Sequence, residues 1–299
     1  QNKDNLPSKS VGGKDIVFSV AGSDVSTDDV YAQLYQQAGI DVVYMLFERA
    51  VVHASADTTD VMSTKASVDI EGVKSNFLNY YGEATYESYL LDALKSMGYS
   101  SLDDLEDYFV YTYKFQDLLN AYVDTNFDTI YPSFESTYQP RIVSHVLVKM
   151  DDPTNPTADE TARFEAAKAA YASGMSFEEM VTTYSDDTSN NTDGGILGYM
   201  DTTTQYESAF LNAALALTED GSVSEWVQTS YGYHLIRLDS SAVDQLKTYQ
   251  EFYDAIVGSD ATIKPNVVWE QAQAEGVDFG TNEELKAEIL SYMGITEAQ

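Results

Sequence analysis

Apolar residues in the first part of the chain recur at intervals of three and four, which is the spacing of one helix face. Over residues 16–131 this pattern predicts a helical region that follows one short strand at residues 15–20. A Ser-x-x-Asp start signal begins at Ser26, and Gly39 and Gly82 interrupt the apolar stripes. We therefore predict several helices that are separated at those glycines.

The period of the pattern changes to two at Arg141. Before it, Pro132 and Pro140 bracket a polar segment that predicts a domain boundary. After it, apolar residues occupy both alternating faces of RIVSHVLVKM, which predicts a strand that is covered on at least part of each face. One face comprises Val143, His145 and Leu147, and the other comprises Ile142, Ser144, Val146 and Val148.

Signals for helices and strands then alternate as far as residue 239. They are capping boxes that begin at Thr157 and Ser176, a strand at residues 196–200, a helix at residues 207–217, a short strand, and a closing strand around His234. The order βααβαββ indicates an α+β fold with a small antiparallel sheet. Helix signals return in residues 241–299, where Thr281 is predicted to cap the last helix.

This distribution predicts three parts of the chain. Residues 1–15 are polar with glycine and proline, so we expect a flexible tether. Residues 16–139 and 241–299 would together form a mainly helical domain, and residues 140–240 would form an α+β domain inserted into it.

Composition narrows the classes of partner. Asp and Glu number 49 against 16 Lys and Arg, which gives a net charge of −33. Such a surface repels phosphates and bare anionic lipid, so nucleic acid is not expected as a partner. The acidity provides solubility, or alternatively a preference for basic unfolded clients. The chain has no cysteine, which excludes disulfides, thiol nucleophiles and thiolate metal sites.

Several motifs do not support a site. The loop around Asp187 resembles a calcium loop in composition, but Thr192 stands where glycine is needed and no bidentate glutamate closes it. The GGILG turn at residues 194–198 lacks the context of a phosphate cradle, and no Gly-x-Ser-x-Gly elbow presents a nucleophile. We expect no metal and no cofactor.

Two of the three histidines, His145 and His234, lie in the middle of predicted strands. An unpaired imidazole is costly in an apolar environment, so the two rings are expected to hydrogen-bond each other if the strands are neighbours. Spacing alone leaves open whether the pair is structural or functional.

A series of short motifs between Arg141 and Asp239 resembles the parvulin-type peptidyl-prolyl isomerases. The motifs, in order, are HVLV, SFEEMVTTYSDD, GGILG, ESAFLNAALAL and GSVSEWVQTSYGYHLIRL. More weakly, the flanking segments resemble the PrsA-type extracytoplasmic foldases and their SurA-like chaperone region. The resemblance implies a parvulin-like domain inserted into a mainly helical chaperone domain.

The resemblance also assigns roles to individual residues. It implies a catalytic group comprising His145, Asp187 and His234. It implies a substrate-binding pocket comprising Leu197, Tyr206, Phe210 and Thr229. Four positions depart from the family pattern: Tyr206 replaces the usual methionine, Ile196 an aspartate, Trp226 a proline and Tyr231 a phenylalanine. The basic loop of the phosphate-selective parvulins is absent here, so selectivity for phosphoserine-proline is not expected.

The implied function is an extracytoplasmic foldase that isomerises X-Pro bonds in unfolded secreted proteins and holds them during folding. Two alternatives remain: a holdase without enzymatic activity whose pocket is narrowed by Tyr206, and a surface adhesin or scaffold. The resemblance further implies a location on the outer face of a Gram-positive membrane, through a lipid anchor that precedes the given chain. It leaves open a homodimer.

Overall fold

The structure is a computed structural model that describes residues 9–11, 14–20 and 23–296. Its described residues form two compact units. One contains the chain up to Ala121 together with the residues from Ala261 onward, and the other runs from Tyr122 to Asp260.

The first unit combines a small sheet with a set of helices. The strands β1 (Lys9–Val11), β2 (Lys14–Val20) and β3 (Ser23–Ser26) form an antiparallel sheet in that order. The helices are α1 (Thr27–Ala54), α2 (Asp60–Tyr81), α3 (Tyr86–Ser96), α4 (Leu105–Thr125), α11 (Ile263–Ala274) and α12 (Glu283–Met293), with a 3₁₀ turn at Leu102–Asp104. The last residues of α4, 122–125, are counted with the second unit. Residues from both ends of the chain share its core, since Val51 of α1 packs in one cluster with Trp269 and Ile289.

Local signals explain where these helices begin and bend. Ser26 and Asp29 form the capping box of α1, so the predicted start is confirmed. Gly39 has φ +74° and breaks the helical geometry inside α1, as its place in the sequence predicted. Gly82 ends α2.

The second unit is built around a four-stranded antiparallel sheet of order β5-β4-β7-β6. The strands are β4 (Arg141–Lys149), β5 (Ile196–Met200), β6 (Val227–Thr229) and β7 (Gly232–Ser240). The helices are α5 (Phe127–Tyr138), α6 (Ala158–Ala172), α7 (Phe177–Tyr184), α8 (Ser208–Ala216), α9 (Val243–Leu246) and α10 (Gln250–Ser259). The predicted βααβαββ order and α+β class are confirmed.

Both faces of strand β4 are buried, and each faces a different set of helices. Val146 and Val148 pack in one cluster with Phe164 of α6 and Met180 of α7. Val143, on the other face, packs with Phe210 of α8, Met200 and Ile236. The second face also carries the two strand histidines, so α8 lies over the part of the sheet where a site was predicted.

Some local predictions differ from the structure. Pro132 lies inside α5 rather than in a boundary segment, because it removes only one backbone donor from a helix whose aromatic face is packed. Asn282, not Thr281, caps α12. Lys9–Val11 and residues 14–15, part of the expected tether, lie in strands, whereas residues 1–8 and 12–13 of the tether lie outside the described residues.

The grouping of residues 122–139 and 241–260 with the sheet also differs from the predicted division. Helix α5 packs against α10 through Phe134 and Phe252, whose ring centroids are 6.1 Å apart, and both belong to the second unit. Boundaries at residues 139 and 241 stay a prediction.

Candidate active site

The two strand histidines meet on one face of the central sheet. In the register of β4 with β7, His145 lies opposite Ile236 and Leu147 opposite His234, so the histidines are diagonal neighbours. Their rings stack at a centroid distance of 5.3 Å with an interplanar angle of 20°. The two Nδ1 atoms are 3.1 Å apart, which is a hydrogen bond between buried groups.

A chain of hydrogen bonds extends from both ends of this pair. His145 Nε2 lies 2.8 Å from Asp187 Oδ2, on the loop that follows α7. His234 Nε2 lies 2.8 Å from Thr229 Oγ1, at the end of β6. Thr229 Oγ1 in turn accepts a hydrogen bond from the backbone N–H of Tyr231 at 3.1 Å. This chain of hydrogen bonds thus runs across the face of the sheet, from the turn between β6 and β7 to the carboxylate of Asp187.

One arrangement of protons satisfies every link with both rings neutral. Ionised Asp187 can only accept, so His145 donates through Nε2 and its Nδ1 is an acceptor. His234 must then donate through Nδ1, which leaves its Nε2 to accept from the hydroxyl of Thr229. Every hydrogen bond in this chain is therefore donated in the direction of Asp187, and a change of tautomer in either ring breaks one of these hydrogen bonds.

The pKa values of the groups agree with this arrangement. Burial, followed by the charge of His145, lowers the pKa of His234 to about 4. Burial also lowers the pKa of His145, although the hydrogen bond and charge of Asp187 oppose it. For Asp187, burial raises the pKa, but hydrogen bonds from Ser189 and His145 outweigh that effect and the pKa is lowered. The rings are therefore neutral and the carboxylate ionised at neutral pH.

The loop after α7 holds Asp187 with two residues that the sequence did not single out. Ser189 donates its backbone N–H at 3.1 Å and its hydroxyl at 2.6 Å to Oδ1. Asn190 donates its amide to Oδ2 at 3.0 Å. The Asp-x-Ser spacing is typical of a turn in which a carboxylate accepts from its own backbone two residues on, and this signal could have identified Ser189. No local pattern identifies Asn190.

A cavity of about 430 Å³ opens beside the histidine pair. All seven residues proposed from the sequence line it, together with four others that were not proposed, namely Leu147, Gln205, Glu207 and Tyr231. Phe210 presents its ring edge-on to both imidazoles, at 5.9 Å from His145 and 5.2 Å from His234. Tyr206 packs against Phe210 at 5.0 Å. The cavity therefore has an apolar aromatic wall and a wall of buried hydrogen-bonded groups.

Glu207 fixes the rim of the cavity where α8 begins. Its carboxylate accepts the backbone N–H of Ser230 at 3.0 and 3.1 Å and is also hydrogen-bonded to the hydroxyl of that residue. Those hydrogen bonds lower the pKa of Glu207, so it is ionised. This link joins α8, which supplies the aromatic wall, to the turn between β6 and β7, which supplies Thr229.

The arrangement suits binding rather than covalent chemistry. It offers a pocket for a small apolar ring and neutral imidazoles that can respond to a change of charge nearby. Among the residues that the structure describes, no group of three His, Cys, Asp or Glu side chains is placed to hold a metal ion. In the same part of the chain, no helix has the length and apolar character needed to cross a membrane.

Comparisons with known proteins match both this segment and the chain around it. The family model for the rotamase, or PPIC-type PPIase, domain matches residues 145–240. Foldase protein PrsA 2 of Listeria monocytogenes serotype 4b (strain F2365) is 30% identical over 238 residues, which are 77% of this chain and 70% of that protein. Foldase protein PrsA 1 of L. monocytogenes serovar 1/2a is 25% identical over 92% of this chain and 82% of its own length. The crystal structure of PrsA from Bacillus subtilis is 21% identical, covers 92% of this chain and 98% of its own chain, and superposes with a TM-score of 0.40.

Proposed function

The chain belongs to the PrsA family of foldases and carries a PPIC-type peptidyl-prolyl isomerase domain, and on that premise we propose how it acts and on what. The clients are unfolded or partly folded secreted proteins with X-Pro bonds. The cavity beside His145 and His234 binds the proline, and the aromatic surface of the first unit holds neighbouring segments. The observation that carries this proposal is the meeting of all seven proposed residues at one cavity.

Isomerisation requires no bond to be made or broken. The barrier to rotation about the peptide bond is about 20 kcal/mol because resonance is lost in the twisted amide. An enzyme needs only to bind the twisted amide better than either planar form, and each 1.36 kcal/mol of that preference is worth about tenfold in rate. Leu197, Tyr206 and Phe210 would hold the proline ring out of water while the carbonyl side rotates.

The histidine pair would act through orientation and electrostatics. As the amide twists, its nitrogen becomes more basic and its carbonyl loses resonance, so charge moves within the bound peptide. Neutral rings in fixed tautomers, backed by the Asp187 carboxylate, present dipoles that are already oriented for that change. No nucleophile is needed, so Asp187 is assigned an electrostatic role.

Isomerase activity is tested on a short panel of X-Pro peptides, by an exchange assay or a protease-coupled assay. It is also tested on a protein whose refolding rate is limited by cis/trans isomerisation of a proline. His145→Ala and His234→Ala should each lower kcat/KM by about tenfold or more, because each leaves a buried partner without its hydrogen bond. His53→Ala is the matched control, since His53 lies in α1, outside the cavity. Full activity in both strand-histidine variants would refute the assignment.

A second candidate function, a holdase without turnover, is favoured by Tyr206 and by exposed aromatic rings. Tyr206 occupies the wall of the pocket where the family usually has the smaller methionine. In the first unit, Tyr80 and Tyr89 are 82% and 50% exposed; Tyr89 stacks on Tyr81, and Tyr80 contacts Tyr81 edge-on. Suppression of client aggregation by the wild type and equally by His145→Ala, without isomerisation by either, would favour this alternative. Suppression near a one-to-one ratio would also argue against an adhesin.

Attachment to the outer face of a Gram-positive membrane through an N-terminal lipid, and assembly as a homodimer, are also part of the proposal. Mass spectrometry of the protein isolated from its own membrane fraction tests the lipid. Sedimentation of the purified chain tests the dimer.

A further inference from the structure

Asn190 is a buried polar residue whose contacts lie at the end of the histidine chain. It is only 5% exposed. Its Nδ2 donates to Asp187 Oδ2 at 3.0 Å and lies 3.4 Å from His145 Nε2. Its own Oδ1 is buried and has no hydrogen-bond partner among the described residues. A buried carbonyl oxygen without a donor is rare in proteins and requires a physical reason.

The charge of Asp187 supplies that reason. If the amide were turned over, Oδ1 would face Asp187 Oδ2 at about the distance of a hydrogen bond, and two acceptors would repel each other. With the observed orientation, the amide gives a hydrogen bond to an anion, which is stronger than one between neutral groups. The stronger bond fixes the amide in place even though its oxygen stays unsatisfied. The side chain is thus oriented by the carboxylate.

The backbone of Asn190 is held independently of its side chain. Its carbonyl accepts the N–H groups of Asp193 at 2.9 Å and Gly195 at 3.0 Å. The carbonyl of Gly195 accepts the N–H of His145 at 2.8 Å, which ties the loop to β4. Gly195 has φ +75°, and a Cβ there would meet the carbonyl oxygen of His145 at 2.2 Å. A substitution at Asn190 can therefore remove the amide and leave the backbone support of the loop in place.

We infer that Asn190 is a positioning residue of the isomerase: its amide holds Asp187 Oδ2 against His145 Nε2 and so fixes the tautomers of both histidines. This inference rests on the proposed function of the His145, Asp187 and His234 group. Asn190 itself does not line the cavity. Its effect reaches the substrate only through the orientation of the two rings.

Other titratable groups also face Asp187. His145 from β4 is in direct contact with Asp187, and His234 from β7 lies behind His145. Burial raises the pKa of Tyr206, which precedes α8, and the nearby charge of Asp187 raises that pKa further. Tyr206 stays neutral over the range of pH used for assays. Changes in pH dependence between pH 5 and 8 in Asn190 variants therefore report on Asp187, the two histidines and any carboxyl introduced at position 190.

Two substitutions at Asn190 are expected to differ in how kcat/KM depends on pH. Asn190→Ala removes the amide donor and should lower kcat/KM by about tenfold at pH 7, with no recovery at lower pH. Asn190→Asp places a second carboxylate beside Asp187, and the two cannot both be ionised without repulsion. Activity should be lowest at pH 7 and should recover severalfold relative to wild type towards pH 5, where a protonated Asp at 190 can donate as the amide did.

The measurement is kcat/KM from NMR exchange on an X-Pro peptide between pH 5 and 8, with imidazole ¹H–¹⁵N spectra of the same samples. Asn191→Ala is the control, because the Asn191 amide bonds to the Ser185 carbonyl and not to the site. The wild type should show His145 protonated at Nε2, and Asn190→Ala should lose that single tautomer. Should Asn190→Ala unfold, as judged by circular dichroism, Asn190→Ser, which keeps a donor, takes its place and is expected to retain more activity at pH 7 than Asn190→Asp; equal or lower activity would contradict the inference.

Two results would overturn the inference: wild-type tautomers in Asn190→Ala, or activity in Asn190→Asp that falls in parallel with Asn190→Ala at every pH. Absence of activity in the wild type itself would refute the proposed function. The imidazole spectra would still decide whether Asn190 positions the pair.

Discussion

Replacement of Thr229 by valine should break the histidine chain at the end opposite Asp187. Thr229 is 7% exposed, and its hydroxyl donates to His234 Nε2 at 2.8 Å. Valine has the same shape but no hydroxyl, so a buried ring nitrogen is left without a partner. His234 could satisfy Nε2 only by moving its proton there, and its Nδ1 would then meet the acceptor Nδ1 of His145.

The size of the effect follows from these contacts. An unsatisfied buried acceptor costs about 1–3 kcal/mol of folding free energy. The backbone N–H of Tyr231 also loses its acceptor, but it lies in a turn next to an exposed side chain, where water can replace the hydroxyl. At about 2–4 °C per kcal/mol, we expect the melting temperature to fall by several degrees. We expect kcat/KM to fall by about tenfold, because the ring that faces the cavity no longer has one tautomer.

Thermal unfolding by circular dichroism and an isomerase assay on one X-Pro peptide measure the two effects. Thr229→Ser keeps the hydroxyl and is the matched control, which should stay within about threefold of wild type. Thr229→Val with an unchanged melting temperature and unchanged imidazole spectra would refute the proton arrangement described for the site.

Three other predictions test different parts of the molecule. Burial lowers the pKa of His234 to about 4, so between about pH 6.5 and 4 the unfolded chain takes up a proton that the folded chain does not. The free energy of unfolding, measured in urea titrations, should therefore fall by up to about 3 kcal/mol as the pH is lowered over that range. If His234→Gln shows the same dependence of stability on pH as the wild type, this prediction is contradicted. Tyr206→Met should raise kcat/KM severalfold if Tyr206 narrows the pocket, and an unchanged rate would show that it does not. Lys114, 4% exposed, donates to the carbonyls of His53 and Ala56 at 3.2 and 2.5 Å, so Lys114→Met should cost about 2 kcal/mol in urea unfolding. The control Lys95→Met should cost almost nothing, because Lys95 is exposed and pairs with the exposed Asp92.

Most elements of the fold could be predicted because their signals are local. The capping boxes at Thr157 and Ser176 are present as predicted, since each depends on contacts three residues apart. Strand β4 begins at Arg141, where the apolar period changes to two. At Pro132 the structure has helix α5 where only a polar boundary segment was predicted, because packing of the aromatic face of α5 outweighs one lost backbone bond.

The sequence by itself determined that His145 and His234 lie in strands of an α+β domain and that Asp187 follows a helix. Only the tertiary structure decided that they form one hydrogen-bonded chain. The register of β4 and β7, with its irregularity at Ile142 and Val143, sets which residues lie opposite each other, and no local pattern contains it. Asn190 reaches the site from a loop without periodicity, through a contact 45 residues away in the chain. Periodicity describes which way a residue faces along its own element, whereas a site depends on distances between elements, and those exist only once the chain has packed.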